Sequence, residues 1–149
     1  MNTNTPQKLF LISIIVALIA SCSAEQETEQ AAEAEEFFLE DSNWQLVRLQ
    51  VLGGFEFVPD EPGKYVLNFR SENRLTGTSD CNSLSGSWFQ EGSAMRFEPF
   101  NSSRKLCPPG SLHNNLVLYL RNATAFTING ENMLVSTATE GIEIEFEAR

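Results

Sequence analysis

In Ile142-Glu143-Ile144-Glu145-Phe146-Glu147 apolar and acidic residues alternate without a slip. A helix would scatter Ile142, Ile144 and Phe146 around its circumference, whereas a strand sets all three on one side. One face is then buried and the other carries three carboxylates into water, the habit of antiparallel sheet. The same period of two recurs upstream. Tyr65, Leu67 and Phe69 precede Ser71-Glu72-Asn73, Met95 and Phe97 follow Glu91-Gly92-Ser93, and Trp44 and Leu46 start an earlier strand. Gly53-Gly54, Asn73, Gly92 and Asn129-Gly130 supply turns, the last reading as a two-residue type I′ hairpin with positive φ at both central positions. No internal repeat of useful length is present.

One segment breaks this rhythm. After Pro108-Pro109-Gly110, apolar residues fall at Leu112, Leu116, Tyr119, Leu120 and Ala123, a helical stripe. Ser111 stands at the N-cap position and Asn122 in the last turn, so a helix of about three turns is predicted. The fold class is mainly β with one helix: a small antiparallel meander sheet, strongly curved or barrel-like, with the helix packed against it. Closure of such a sheet removes its exposed edges.

The N-terminus reads as an address. Lys8 precedes an apolar run over residues 9–20, too short for a bilayer span, which needs roughly 17 to 25 residues. A basic start, a short apolar centre and Ile19-Ala20-Ser21-Cys22 describe an export signal over residues 1–21. The break resembles the lipobox of bacterial lipoproteins, which implies acylation of Cys22 after cleavage and a membrane partner reached through that anchor. Ser23, where an Asp would favour inner-membrane retention, points to the outer membrane, facing the periplasm. Residues 22–36 contain Glu25, Glu27, Glu29, Glu33, Glu35 and Glu36 and no aromatic residue. They read as a solvated tether, extended by charge repulsion, with a reach of about 50 Å. One domain follows over residues 37–149.

Charge narrows the function. Without residues 1–21 the chain keeps nine basic against 20 acidic residues, a net charge of −11. Nucleic acid is excluded as a partner, because the electrostatic attraction that dominates such binding has the wrong sign.

Within the domain, Asn73-Arg74-Leu75-Thr76-Gly77, Cys81-Asn82, Gly86 and Cys107-Pro108 follow in order. Together with Trp44-x-Leu46, Leu120, Leu134 and Phe146, this pattern resembles the META domain family, which includes the HslJ-like heat-inducible lipoproteins. The resemblance spans roughly residues 43–146, and its motif residues are Gly77, Cys81, Asn82, Gly86 and Cys107. It implies a compact sheet bent toward a barrel with a helix against it. It also implies an envelope role connected with heat stress, antibiotic tolerance, secretion or motility, and names no reaction. The chain departs from the pattern where Asp80 replaces a Gly before the Cys, and where Asn114 or Asn115 replaces an acidic residue early in the helix.

The candidate chemistry is sparse. Cys81 and Cys107, exported together, suit a disulfide; on the entropic model such a loop of about 25 residues adds roughly 3 to 4 kcal/mol. The alternative is a redox or metal pair, but there is no Cys-x-x-Cys and only one His, so zinc lacks a ligand set. His113, the one possible base for a Ser-His or Cys-His mechanism, falls off the apolar stripe and reads as a solvated surface residue. Glu143, Glu145 and Glu147 read as a hydrated solubility face. Asp80-Cys81-Asn82 reads as a turn cluster that caps backbone. Arg104-Lys105 is the only adjacent basic pair, able to meet lipid headgroups or carboxylates. Trp88-Phe89 puts one ring on each face of a strand, leaving one of them for binding. The expectation is a non-enzymatic, stress-associated binding or stabilising module without catalytic residues, metal or cofactor, whose partner is an envelope protein or an apolar ligand. The alternative is a barrel holding a small hydrophobic ligand in its mouth, which requires an unfilled pocket.

Overall fold

The computed structural model describes residues 37–149. The signal segment, Cys22 and the acidic tether lie outside the described residues. Nine strands run in chain order: β1 (Asn43–Val51), β2 (Phe55–Phe57), β3 (Tyr65–Arg70), β4 (Arg74–Ser79), β5 (Asn82–Glu91), β6 (Ala94–Ser102), then β7 (Ala123–Asn129), β8 (Asn132–Thr137) and β9 (Ile142–Ala148), with helix α1 (His113–Leu120) between β6 and β7. Neighbours pair antiparallel in the order β1-β3-β4-β5-β6-β7-β8-β9, and β9 pairs back onto β1. Eight strands thus close a barrel. β2 hangs outside the circuit as a short hairpin on the far half of β1, Leu49 opposite Phe57.

The alternation read in the sequence is the alternation of the barrel wall. Ile142, Ile144 and Phe146 are buried, and they lie opposite Val51, Leu49 and Leu46 of β1. Trp88 is buried, whereas Phe89 on the other face is 38% exposed and lies under the Arg96 guanidinium, 4.6 Å from the ring centroid. Inside, Trp44, Phe69, Leu67, Leu75, Met133 and Phe146 are fully buried. Phe69 meets Trp88 edge-on at 5.4 Å and Phe97 at 6.0 Å. The barrel axis is a packed core, as in other small barrels whose interior is just wide enough for side chains.

Both ends are covered. At the rim formed by the start of β1 and the end of β5, called the lower rim below, Leu39 is buried and held by Gln90. The Gln90 Oε1 accepts the Leu39 N–H at 3.1 Å while its Nε2 donates to the Phe37 carbonyl. At the upper rim, α1 presents Leu112, Leu116, Val117 and Leu120 to the core.

The predicted helix overran. It has eight residues, and Ala123, the last residue of the apolar stripe, is the buried first residue of β7. Leu112 holds the N-cap position without a side-chain bond, and Ser111, one residue earlier, accepts the His113 N–H at 3.2 Å. The hairpin at Asn129-Gly130 is also shifted. Asn129 pairs with Asn132, so Gly130 and Glu131 make the turn, and only Gly130, at φ 62°, takes the left-handed conformation.

The seam between β6 and β7 differs from the others. The two strands share a single register pair, Ala94 with Ala125. Further up, Arg121, just after α1, joins the helix end to β6, its Nη2 donating to the Phe100 carbonyl at 3.3 Å.

Candidate functional site

β4 and β5 are joined by the two-residue turn Asp80-Cys81, which places the motif cysteine and Asn82 at the upper rim. Asp80 has φ 55°. That conformation costs an L-residue with a Cβ roughly 1–2 kcal/mol and, Gly aside, is tolerated best by Asn and Asp. Cys81 bonds Cys107, with Cα atoms 5.4 Å apart. The bond ties this turn to the segment leading into α1.

Asn82 is only 2% exposed, and its carboxamide is saturated. Its Oδ1 accepts from Ser103 Oγ and from the Lys105 N–H, both at 2.8 Å. Its Nδ2 donates to the Lys105 carbonyl at 3.1 Å and to the Cys107 and Cys81 sulfurs at 3.1 and 3.4 Å. One side chain thereby pairs both backbone groups of Lys105, as a neighbouring strand would. A buried, fully bonded carboxamide holds geometry; it has no free lone pair to offer a substrate.

Gly77 and Gly86 lie along the same two strands. A Cβ on Gly77 would fall 2.0 Å from the Val66 carbonyl oxygen of β3, and one on Gly86 would fall 2.0 Å from the Pro99 oxygen of β6. Both glycines permit backbone approach where the wall bends, and β5 slips register against β6 between Gly86 and Trp88.

His113 departs from its expected setting. Rather than a freely solvated ring, it is half-buried beside the end of β4, with Nδ1 buried and unbonded. Burial holds its pKa below the ordinary 6.5, against the opposing pulls of the Ser79 backbone and the Asp80 carboxylate. Ser79 is fully buried and its Oγ is also without a bond. The two groups share a neighbourhood, and the Ser79 hydroxyl and the imidazole Nδ1 make no hydrogen bond to each other. The outward carboxylates of β9 are likewise less free than expected. Glu145 pairs with Arg48 at 3.1 Å, and Glu147 accepts from Gln45 Nε2 at 2.6 Å. Among the described residues no group of three His, Cys, Asp or Glu side chains could hold a metal ion.

Surface concavities lie around the upper rim. One of about 590 Å³ runs between the segment after β6 and the face of α1, lined by Arg104, Lys105, Leu106, Leu118 and Arg121 among others. Arg104-Lys105 was singled out in the sequence; Arg121, Leu106 and Leu118 were not. The available signal was Leu118, an apolar residue off the helical stripe and one turn from Arg121. A smaller cleft of about 270 Å³ separates Phe57 and Tyr65 from Pro108-Pro109-Gly110.

Known proteins share this architecture. No curated protein matches the chain. The NMR structure of a protein from Burkholderia xenovorans superimposes with a TM-score of 0.59 at 18% identity, over 74% of this chain and 83% of that one. The crystal structure of a DUF4847 family protein from Bacteroides vulgatus gives 0.51 at 16% identity, over 72% of this chain and 92% of that one. At such identities the likeness is one of fold. The model of the META domain matches residues 38–148, which takes in the whole barrel, the clamped asparagine and the bonded cysteine pair: the chain belongs to the META domain family.

Proposed function

We propose that this is a lipid-anchored envelope protein, held through Cys22 at the outer membrane, whose barrel is a non-enzymatic, stress-associated binding module that meets its partner at its outer surface. The observation that carries the reading is the filled barrel. With Trp44, Phe69, Leu46 and Phe146 fully buried on the axis, a small apolar ligand held inside the mouth has no room, and recognition falls to the surface. The motif supports the same view, because Asn82 and both cysteines are consumed in holding the upper rim together. The bonded cysteine pair suits an oxidising compartment outside the cytoplasm. Lys8, the short apolar run and Cys22 supply the export signal and acylation point.

The test is metabolic labelling with a palmitate analogue in the native host, followed by membrane fractionation and capture of crosslinked partners. The native chain is expected to take up label and sediment with membranes, and Cys22→Ser to lose the label and remain unprocessed or soluble. A protein partner captured only with the anchored form supports the module. A co-purifying apolar small molecule without any protein would favour the ligand-binding reading, and label persisting on Cys22→Ser would remove the anchor.

A further inference from the structure

We infer that the groove between the segment after β6 and helix α1 is a second membrane contact, seating the headgroup of an anionic phospholipid. The inference deepens the envelope reading above and rests on it for the presence of a bilayer nearby.

Residues 37–149 carry 14 acidic and nine basic side chains, yet Arg104, Lys105 and Arg121 converge on one groove that no carboxylate lines. Among the described residues, Arg48, Lys64 and Arg74 are ion-paired and the other six basic residues are not; three of those six meet in this groove. An unneutralised cationic concavity on an acidic domain reverses the local field and selects a compact anion. An extended polyanion would run onto the acidic surface beyond it.

Those cations keep apolar company. Leu106 is 100% exposed and Leu118 is 56% exposed, and both line the same groove. A free anion gains nothing from exposed leucines, and an apolar ligand gains nothing from three cations. Apolar tips beside Lys and Arg match the boundary between phosphates and acyl chains in a bilayer surface. Asn114, exposed on the same helix face, adds an uncharged hydrogen-bonding group to the groove. The volume of about 590 Å³ suits a headgroup with the first part of its chains.

Geometry permits it. The described chain begins at Phe37, bonded to Gln90 at the lower rim, and the groove lies at the upper rim beyond Asn82. These points are about 26 Å apart along β5, within the reach expected of an extended tether over residues 22–36.

The test uses residues 34–149, a compact unit that contains the closed barrel, both of its end covers and the disulfide and lacks Cys22. Acyl anchoring therefore cannot contribute. Co-sedimentation is measured with phosphatidylcholine vesicles with and without phosphatidylglycerol. Retention is expected only with phosphatidylglycerol, and it should fall as salt rises. Each cation removed should weaken partitioning about five-fold, so Arg104→Gln with Lys105→Gln costs about 25-fold and the further Arg121→Gln brings it to about 125-fold. Leu106→Ser should weaken retention several-fold. Arg104, Lys105 and Leu106 are exposed, so variants at these three positions keep the thermal transition of the parent, whereas Arg121→Gln also loses the bond to the Phe100 carbonyl and is compared at its own transition. Equal retention on neutral vesicles, no retention on either, or unchanged retention of the variants would overturn the inference. Saturable binding of soluble glycerol phosphate without vesicle retention would also overturn it, in favour of a free-anion pocket. Palmitate labelling at Cys22 is read separately, so failure of the groove and failure of the anchor give different results.

Discussion

Asn82 was visible in the sequence as part of a motif, but its work was not, because its partners Ser103 and Lys105 are more than 20 residues away. Asn82→Ala would leave the part-buried backbone groups of Lys105 and the Ser103 hydroxyl with fewer bonds, and a loss of about 1–2 kcal/mol is expected by urea denaturation. Gly77 and Gly86 were likewise legible as positions and not as reasons, since the reason is a carbonyl on a neighbouring strand. Ala at either site must displace backbone to relieve a 2.0 Å contact, and should cost at least about 2 kcal/mol in the same assay. His113 makes a prediction of its own. It is the only histidine in the chain, so its ring resonances titrate without overlap in an NMR spectrum, and the midpoint should lie below 6.5. Since the folded pKa is lowered, the fold prefers the neutral ring. The contribution of this group to stability is complete above 6.5 and is lost as pH falls through that value toward the folded midpoint. His113→Gln should remove this acid-side dependence.

β5 carries a clamping carboxamide at each end, Asn82 against Lys105 at the upper rim and Gln90 against Phe37 and Leu39 at the lower. Each pins a crossing segment that has no strand of its own, which is why period-two reading did not find them. β1, β3, β6 and β9 were legible, because one wet face and one dry face impose alternation on the sequence. β2 was not, being three residues long with Phe55 and Glu56 both exposed. The helix ran long on paper because Ala123 continues the apolar stripe into the next element and faces the same core from a strand. Replacing both Cys81 and Cys107 by Ala is expected to cost roughly 3 kcal/mol in thermal or denaturant unfolding, with the Asn82 clamp keeping the folded loop in place. The seam between β6 and β7 has one ladder pair where β1 and β9 share seven. Amides on the β6 edge between Arg96 and Ser102 should therefore exchange with deuterium ahead of those in β1 and β9.

That the sheet closes was expected from edge avoidance, yet which strands meet was outside the reach of local pattern, since pairing of the first strand with the last is the longest-range contact a meander can make. Closure accounts for the filled interior. It has one more consequence. Because β1 lies against β9, the Arg149 N–H reaches the Asn43 carbonyl at 2.9 Å, so the beginning and end of the barrel stand side by side at the lower rim. The circuit has no privileged starting strand. A circular permutant that joins Arg149 to Phe37 by a short Gly-Ser linker and opens at the exposed Gly92-Ser93 turn should fold to the same barrel, and a reporter fused behind Arg149 would emerge on the rim where Asn43 begins β1.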